Sequence, residues 1–155
     1  MKQLSVLALG VVVSLVCAAT PVLIAAVTSI ARPFASRNEC LRYGPDPVSI
    51  TGKLARHTFY GAPGFGEDPK HDHKETGFYL DLQNPVCTIA GGDDSDRALD
   101  GVHRVQLVLD ADGYARLRPF LGKRVTLRGT PFGAITAHHH APILLDVLKP
   151  VRVER

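Results

Sequence analysis

Tryptophan is absent from the 155 residues, methionine occurs once and cysteine three times. No Cys-x-x-Cys pair exists, which weighs against a metal-binding or redox-active cysteine pair. His-Glu-x-x-His and Gly-x-Ser-x-Gly are missing too, so zincin and serine-hydrolase chemistry have no support. Charge of one sign is not in excess: 18 Lys and Arg face 15 Asp and Glu. The basic residues are scattered, without the stripe or patch of a nucleic-acid-binding domain. Charge is missing altogether from residues 3–31, the one long apolar stretch.

That stretch sets the expected address. Lys2 forms a minimal basic n-region, and Leu4 to Val16 is an apolar run of signal-peptide length. Val16-Cys17-Ala18 and Ser29-Ile30-Ala31 both offer small-residue cleavage sites. Apolar character resumes after Pro21, and the whole segment reaches the ~20 residues that span a bilayer. A cleaved signal peptide and an uncleaved inner-membrane anchor are both open. Cys17 follows Val16 rather than a small residue, which argues against lipidation. The expected organisation is therefore a signal peptide or anchor (1–31), a linker (32–39) and one domain (40–155), exported to the periplasm or the exterior.

Two cysteines remain after the leader, Cys40 and Cys87. In an oxidising compartment an isolated pair reads as one disulfide, the alternatives being a metal pair or a reactive thiol.

Five segments of the domain alternate like strands. They are Val48 to Leu54, Phe78 to Leu82, Val102 to Leu109, Val125 to Gly129, and Ile143 to Val153 with a break at Pro150. Between the third and fourth, Asp112 is placed to cap a short helix that Gly122 closes. The first and fourth strands echo each other, Val-Ser-Ile-Thr-Gly against Val-Thr-Leu-Arg-Gly, and a glycine in a strand (Gly52, Gly129) marks a bulge or a tight bend such as a small closed barrel requires. Three strands, a helix and two strands is the order of an OB barrel. The expected fold is mainly β: a small five-stranded OB-like barrel with one short helix, preceded by the hydrophobic segment.

Gly61 to Thr76 and Gly91 to Gly101 read as loops. The glycines at 61, 64 and 66 lack the Lys-Ser/Thr ending of a phosphate loop. Asp93, Asp94 and Asp96 lack the spacing and closing Glu of an EF-hand and read as a solvated acidic turn.

With these pieces in place, the chain resembles the bacterial exported domain family of unknown function DUF4431. The resemblance is carried by Cys40, Tyr43 and Gly61-Ala62-Pro63-Gly64-Phe65. It continues through Phe78-Tyr79-Leu80-Asp81-Leu82, Asn84-Pro85-Val86-Cys87 and Arg104-Val105-Gln106-Leu107-Val108-Leu109. Further matching pieces run from Leu121 to Thr130 and from Thr136 to Leu145, so that it covers about residues 40–151. Ala137 and Ala141 stand where Gly and Thr are expected. The resemblance implies an exported domain, is consistent with pairing Cys40 with Cys87, and carries no catalytic residues.

His138-His139-His140 is the cluster that raises a metal question. On a strand, His138 and His140 share one face, and two imidazoles with a third donor can hold Zn or Cu. His71, Asp72, His73 and His103 are the candidates for that donor. Against this stands a reading in which one ring packs, one is hydrogen-bonded and one is solvated. Phe59, Tyr60, Phe65 and Tyr79 fall near the face where OB barrels bind ligands, and are candidate ligand-binding residues. No motif names a reaction. The first expectation is a non-enzymatic binding or interaction module of the cell envelope, without cofactor, for a protein, glycan or small ligand and not for nucleic acid. The alternative is a Zn- or Cu-binding envelope protein, extending to a hydrolase, centred on His138 and His140. A purely structural envelope component is a third.

Overall fold

A computed structural model of the protein describes residues 40–149 and 151–153. The leader, the linker and the break at Pro150 lie outside the described residues. Among the described residues no helix is long and apolar enough to cross a membrane.

The strands are β1 (Leu41–Arg42), β2 (Val48–Tyr60), β3 (Lys74–Ile89), β4 (Leu99–Val108), β5 (Arg124–Gly133) and β6 (Ile143–Val147). One helix, α1 (Ala111–Leu117), joins β4 to β5 and runs into a 3-10 turn, Arg118–Phe120. β2 pairs antiparallel with β3 and with β5, β3 with β4, and β5 with β6, while β4 and β6 are parallel. The circuit β3-β2-β5-β6-β4 returns to β3 and closes a five-stranded OB-like barrel. The two echoing segments of the sequence are neighbours in it, with Val48 opposite Gly129 and Gly52 opposite Val125.

Alternation explains the core. Ile50 and Leu54, Phe78, Leu80 and Leu82, Val105 and Leu107, Val125 and Leu127, and Ile143, Leu145 and Val147 point inward and are buried. Each such side chain contributes roughly 2 kcal/mol by leaving water. Leu117 of α1 joins this core, and Tyr114 sets its ring edge against Phe78 at 4.9 Å. Gly52 and Gly129 sit on the crowded inner side. A Cβ on Gly52 would come to 3.0 Å of the Leu80 Cβ, and one on Gly129 would collide with the Asp146 carbonyl oxygen.

The strands are longer than their alternating cores. β2 continues to Tyr60, β3 begins at Lys74 inside the expected loop, and β4 begins at Leu99. β3 is the long bent member, and its register with β4 slips between Asp81 and Val86. Pro85 falls in that slip, as expected of a residue with no N–H for the ladder. The expected cap is corrected by two residues. Asp110, not Asp112, is the N-cap, and its carboxylate accepts the Gly113 N–H at 2.8 Å.

Beyond the barrel, β1 adds in parallel to the end of β3, and the Cys40–Cys87 disulfide fastens it there. Beside it, the buried Tyr43 and Thr88 hydroxyls both donate to the Arg97 carbonyl, at 2.9 and 2.8 Å. The Leu99 N–H donates to Thr88 Oγ1. Asp96, expected in a solvated turn, accepts the Gly133 N–H and ties the acidic loop to β5.

Candidate functional site

On β3, residues that alternate with the inward Phe78 and Leu80 face outward: Glu75, Gly77, Tyr79 and Asp81. Register places Phe59 opposite Glu75 and His57 opposite Gly77 on β2, with Gln106 opposite Tyr79 and Arg104 opposite Asp81 on β4. Two loops flank this outer face. One, residues 61–73, joins β2 to β3; the other, residues 134–142, joins β5 to β6.

The first loop is built around Asp72, which is buried with 8% exposure. Its two carboxylate oxygens accept the Gly64 and Gly66 N–H groups at 2.6 and 2.7 Å. Backbone bonds from Gly61 N to His73 O and from His73 N to Ala62 O close the base. Between the two glycines, Phe65 is held at φ +50° with 41% of its surface exposed. Left-handed backbone costs a non-glycine residue about 1–2 kcal/mol, so the Asp72 clamp keeps an aromatic ring in solvent against a local preference.

The second loop carries the three histidines outside any strand, so the strand geometry considered for His138 and His140 does not apply. Alternation therefore does not direct the rings; side-chain contacts do. The Gln106 amide spans the loop, its Nε2 donating to the His138 carbonyl and its Oε1 accepting the His140 N–H. His138 Nδ1 meets Glu75 Oε1 at 2.6 Å, and His140 Nε2 meets Glu75 Oε2 at 2.8 Å. A carboxylate only accepts, so both rings donate to it. Burial pushes the Glu75 carboxyl up, but the bonds from His140 and His138 outweigh it and leave the group below its usual range. His139 turns the other way: Nδ1 accepts the Ile135 N–H and the ring stands edge-on to Phe132. Burial first, then the neighbouring His138 and His140, lower its pKa.

Rings complete the face. His140 stacks on Phe59 with centroids 4.5 Å apart and 7° between planes, and Phe65 meets His138 edge-on at 5.5 Å. Tyr79 forms the floor, 1% exposed, with its ring 5.6 Å from Phe59 and 5.3 Å from His57. Burial pushes the Tyr79 phenol up to about 12, so it stays neutral. Further along, Asp81 accepts from Arg104 Nε at 2.7 Å and pairs with His57 Nε2 at 2.9 Å. Burial raises the Asp81 pKa, but Arg104 and then His57 bring it below the ordinary carboxylate value. A cleft of about 500 Å³ opens beside His140, lined by residues 99–104 and 140–142.

The structure thus brings Phe59, Phe65 and Tyr79 to one face. Tyr60 lies one step out of phase, under the Lys74 ammonium at 3.2 Å. His138 and His140 do converge, on Glu75. Asp72 is bound to its loop amides, and His71 pairs with Asp68. Among the described residues no group of three His, Cys, Asp or Glu is disposed to hold a metal ion. Each imidazole nitrogen meets its own carboxylate oxygen at hydrogen-bond distance. Glu75 and Gln106 were missed by sequence reasoning because each looked like an ordinary surface residue. The available signal was parity: once β3 extends back to Lys74, Glu75 shares the outward phase of Tyr79 and Asp81.

The molecule is of the OB-like barrel class, with a loop-framed outer face. Residues 104–150 match the family model DUF4431, described as a domain of unknown function. That segment runs from β4 past β6 and includes Gln106 and the three histidines, whereas Phe59, Glu75 and Tyr79 precede it. Neither curated proteins nor solved structures provide a match to this chain.

Proposed function

We propose that this is an exported, non-enzymatic binding module of the cell envelope. It takes an envelope protein, glycan or small ligand across the outer face of β2, β3 and β4, between loops 61–73 and 134–142. The observation that carries the reading is Phe65, kept exposed at positive φ by the buried Asp72. Backbone strain of this kind persists where surrounding structure over-determines it, often at ligand contacts. OB barrels bind across the corresponding strands and loops, an analogy that raises the expectation without deciding the ligand. The uncharged segment 3–31 and the Cys40–Cys87 disulfide support an oxidising, exported setting. The near balance of acids and bases supports a partner other than nucleic acid.

The test is an NMR screen of the labelled chain against amino acids, short peptides and cell-wall glycan fragments. Hits should shift amides of loops 61–73 and 134–142 and of outward β3 residues. Hits spread over the opposite side, or none at all, would sink the reading. Fractionation of the expressed protein, with N-terminal sequencing, tests export and separates a cleaved leader from an anchor.

A second reading is favoured by one observation, that two imidazoles direct a nitrogen at the same carboxylate. In it, Zn or Cu is held by His138 and His140 after Glu75 rotates to serve as a third donor. Stoichiometric metal uptake, abolished by His138→Ala with His140→Ala, would establish it. Uptake unchanged by those substitutions would remove it.

A further inference from the structure

We propose that the outer face is a slot for a flat, N–H-bearing cation, a guanidinium or imidazolium group, and that His140 fills this slot while the 134–142 loop is closed. The inference rests on the binding-module reading and names the ligand class of that same site.

His140 makes two contacts that together describe a ligand. Its ring lies flat on Phe59, 4.5 Å away and 7° from parallel, and its edge N–H meets Glu75 Oε2 at 2.8 Å. A plane on an aromatic face with a donor edge toward a carboxylate is the arrangement that guanidinium groups adopt. A tetrahedral ammonium reaches the carboxylate but has no plane to stack. A neutral apolar ring stacks but leaves the carboxylate without a donor.

The loop that brings His140 here is fastened by side chains. Among the described residues, the loop's backbone bonds are internal, from Ala134 N to Pro142 O and from His139 N to Thr136 O. Its hydrogen bonds to the barrel come from the Gln106 amide and the Glu75 carboxylate, beside the ring contacts of His140 with Phe59 and of His139 with Phe132. A ligand that satisfies Phe59 and Glu75 replaces what His140 supplies, and the loop lifts with the loss of few bonds. Beside His140, an open cleft of about 500 Å³, lined by residues 99–104 and 140–142, leaves room for the remainder of a ligand.

The test titrates the full-length labelled chain, in detergent to keep the apolar segment dispersed. The probes are methylguanidinium, butylammonium as the non-planar control, and a short arginine peptide with its lysine counterpart. Methylguanidinium should shift the His140 amide and the Gln106 side-chain amide. Its affinity should fall roughly tenfold in Glu75→Gln, the loss of one charge-assisted bond, and rise in His140→Ala, where the competing ring is gone. Phe59→Leu, which keeps bulk but removes the π face, should also weaken methylguanidinium, with unchanged amide shifts of β5 and β6 showing that the variant is folded; undiminished binding overturns the slot. A tighter arginine peptide would identify the source as a partner's side chain, and equal affinities a free small base; either supports the slot. Equal binding of butylammonium, or no shift at His140 in wild type, overturns it. If the ligand screen still hits this face, only the ligand class has failed. If nothing reaches the face, the module reading falls with it.

Discussion

The imidazole of His140 lies parallel to the phenyl ring of Phe59, 7° from coplanar, although the two residues come from different loop–strand junctions. Neither backbone ladder nor alternation holds them together. The stack exists because Glu75 and Gln106 hold the histidine loop against the barrel wall.

Glu75→Gln therefore tests the loop directly. A glutamine puts a donor nitrogen where the carboxylate has its second oxygen, so one of the two imidazole N–H groups faces a donor unless its ring changes tautomer. We expect a stability loss of about 1 kcal/mol, kept modest by the partial exposure of the group. Amide exchange should quicken in residues 134–142 while β2 and β5 stay protected. Unchanged exchange in the loop would show that Glu75 does not fasten it.

Asp72→Ala addresses the other loop. It strips the partners of the Gly64 and Gly66 amides, two charge-assisted bonds at a buried site. The expected loss is about 2 kcal/mol by urea unfolding. Asp72→Asn should fall between the two, because its amide can accept from only one of the glycines through oxygen. In both variants Phe65 should lose its fixed position and its NMR contact with His138. A full loss of stability with Phe65 still in contact would contradict the clamp.

How far the sequence carries this structure depends on which forces act at each place. Burial writes itself into alternation, so Ile50, Leu80, Leu107, Leu127 and Leu145 were each legible as inward residues. So was the order of three strands, a helix and two strands. Strand ends were not, because Phe59, Tyr60, Lys74 and Glu75 pair through backbone while one side of each meets solvent. The histidine run shows the same limit. The shared face of His138 and His140 holds for a strand, but Gln106 and Glu75, distant in sequence, set the conformation of the run. The helix cap differed by two residues because Asp110 and Asp112 offer the same side chain, and only backbone geometry chooses between them.

The inner-face glycines give a prediction about barrel closure. A Cβ at Gly129 would run into the Asp146 carbonyl, and one at Gly133 into the Ser95 carbonyl. Backbone cannot rotate away as a side-chain tip can. Gly129→Ala and Gly133→Ala should each cost about 2–4 kcal/mol, in the range for forced overpacking and a displaced strand. Gly92, whose added Cβ meets nothing within 4 Å, is the control. Gly92→Ala should stay within about 0.5 kcal/mol of wild type. Equal effects at all three sites would mean that β6 and the loop holding Ser95 approach β5 less closely than described.

The outer face also carries a pH dependence, to which Asp81 and, in the same sense, Glu75 contribute on the acid side and Tyr79 on the alkaline side. Asp81 is held below the ordinary carboxylate value because the bonds to Arg104 and His57 outweigh its burial. Its contribution is therefore present above the unfolded value of about 3.9 and is lost as pH falls through the lower folded value. Tyr79 has the opposite sense. Burial lifts its phenol to about 12, so its contribution is complete below the unfolded value of about 10 and is lost as pH rises toward 12. Stability should form a plateau with an acid limb and an alkaline limb. Asp81→Asn should shorten the acid limb, by less than about 1 kcal/mol because a third of that side chain meets solvent. Tyr79→Phe should flatten the alkaline limb alone. Urea midpoints measured across the pH range separate the two, and an alkaline limb that survives Tyr79→Phe would mean that another group titrates there.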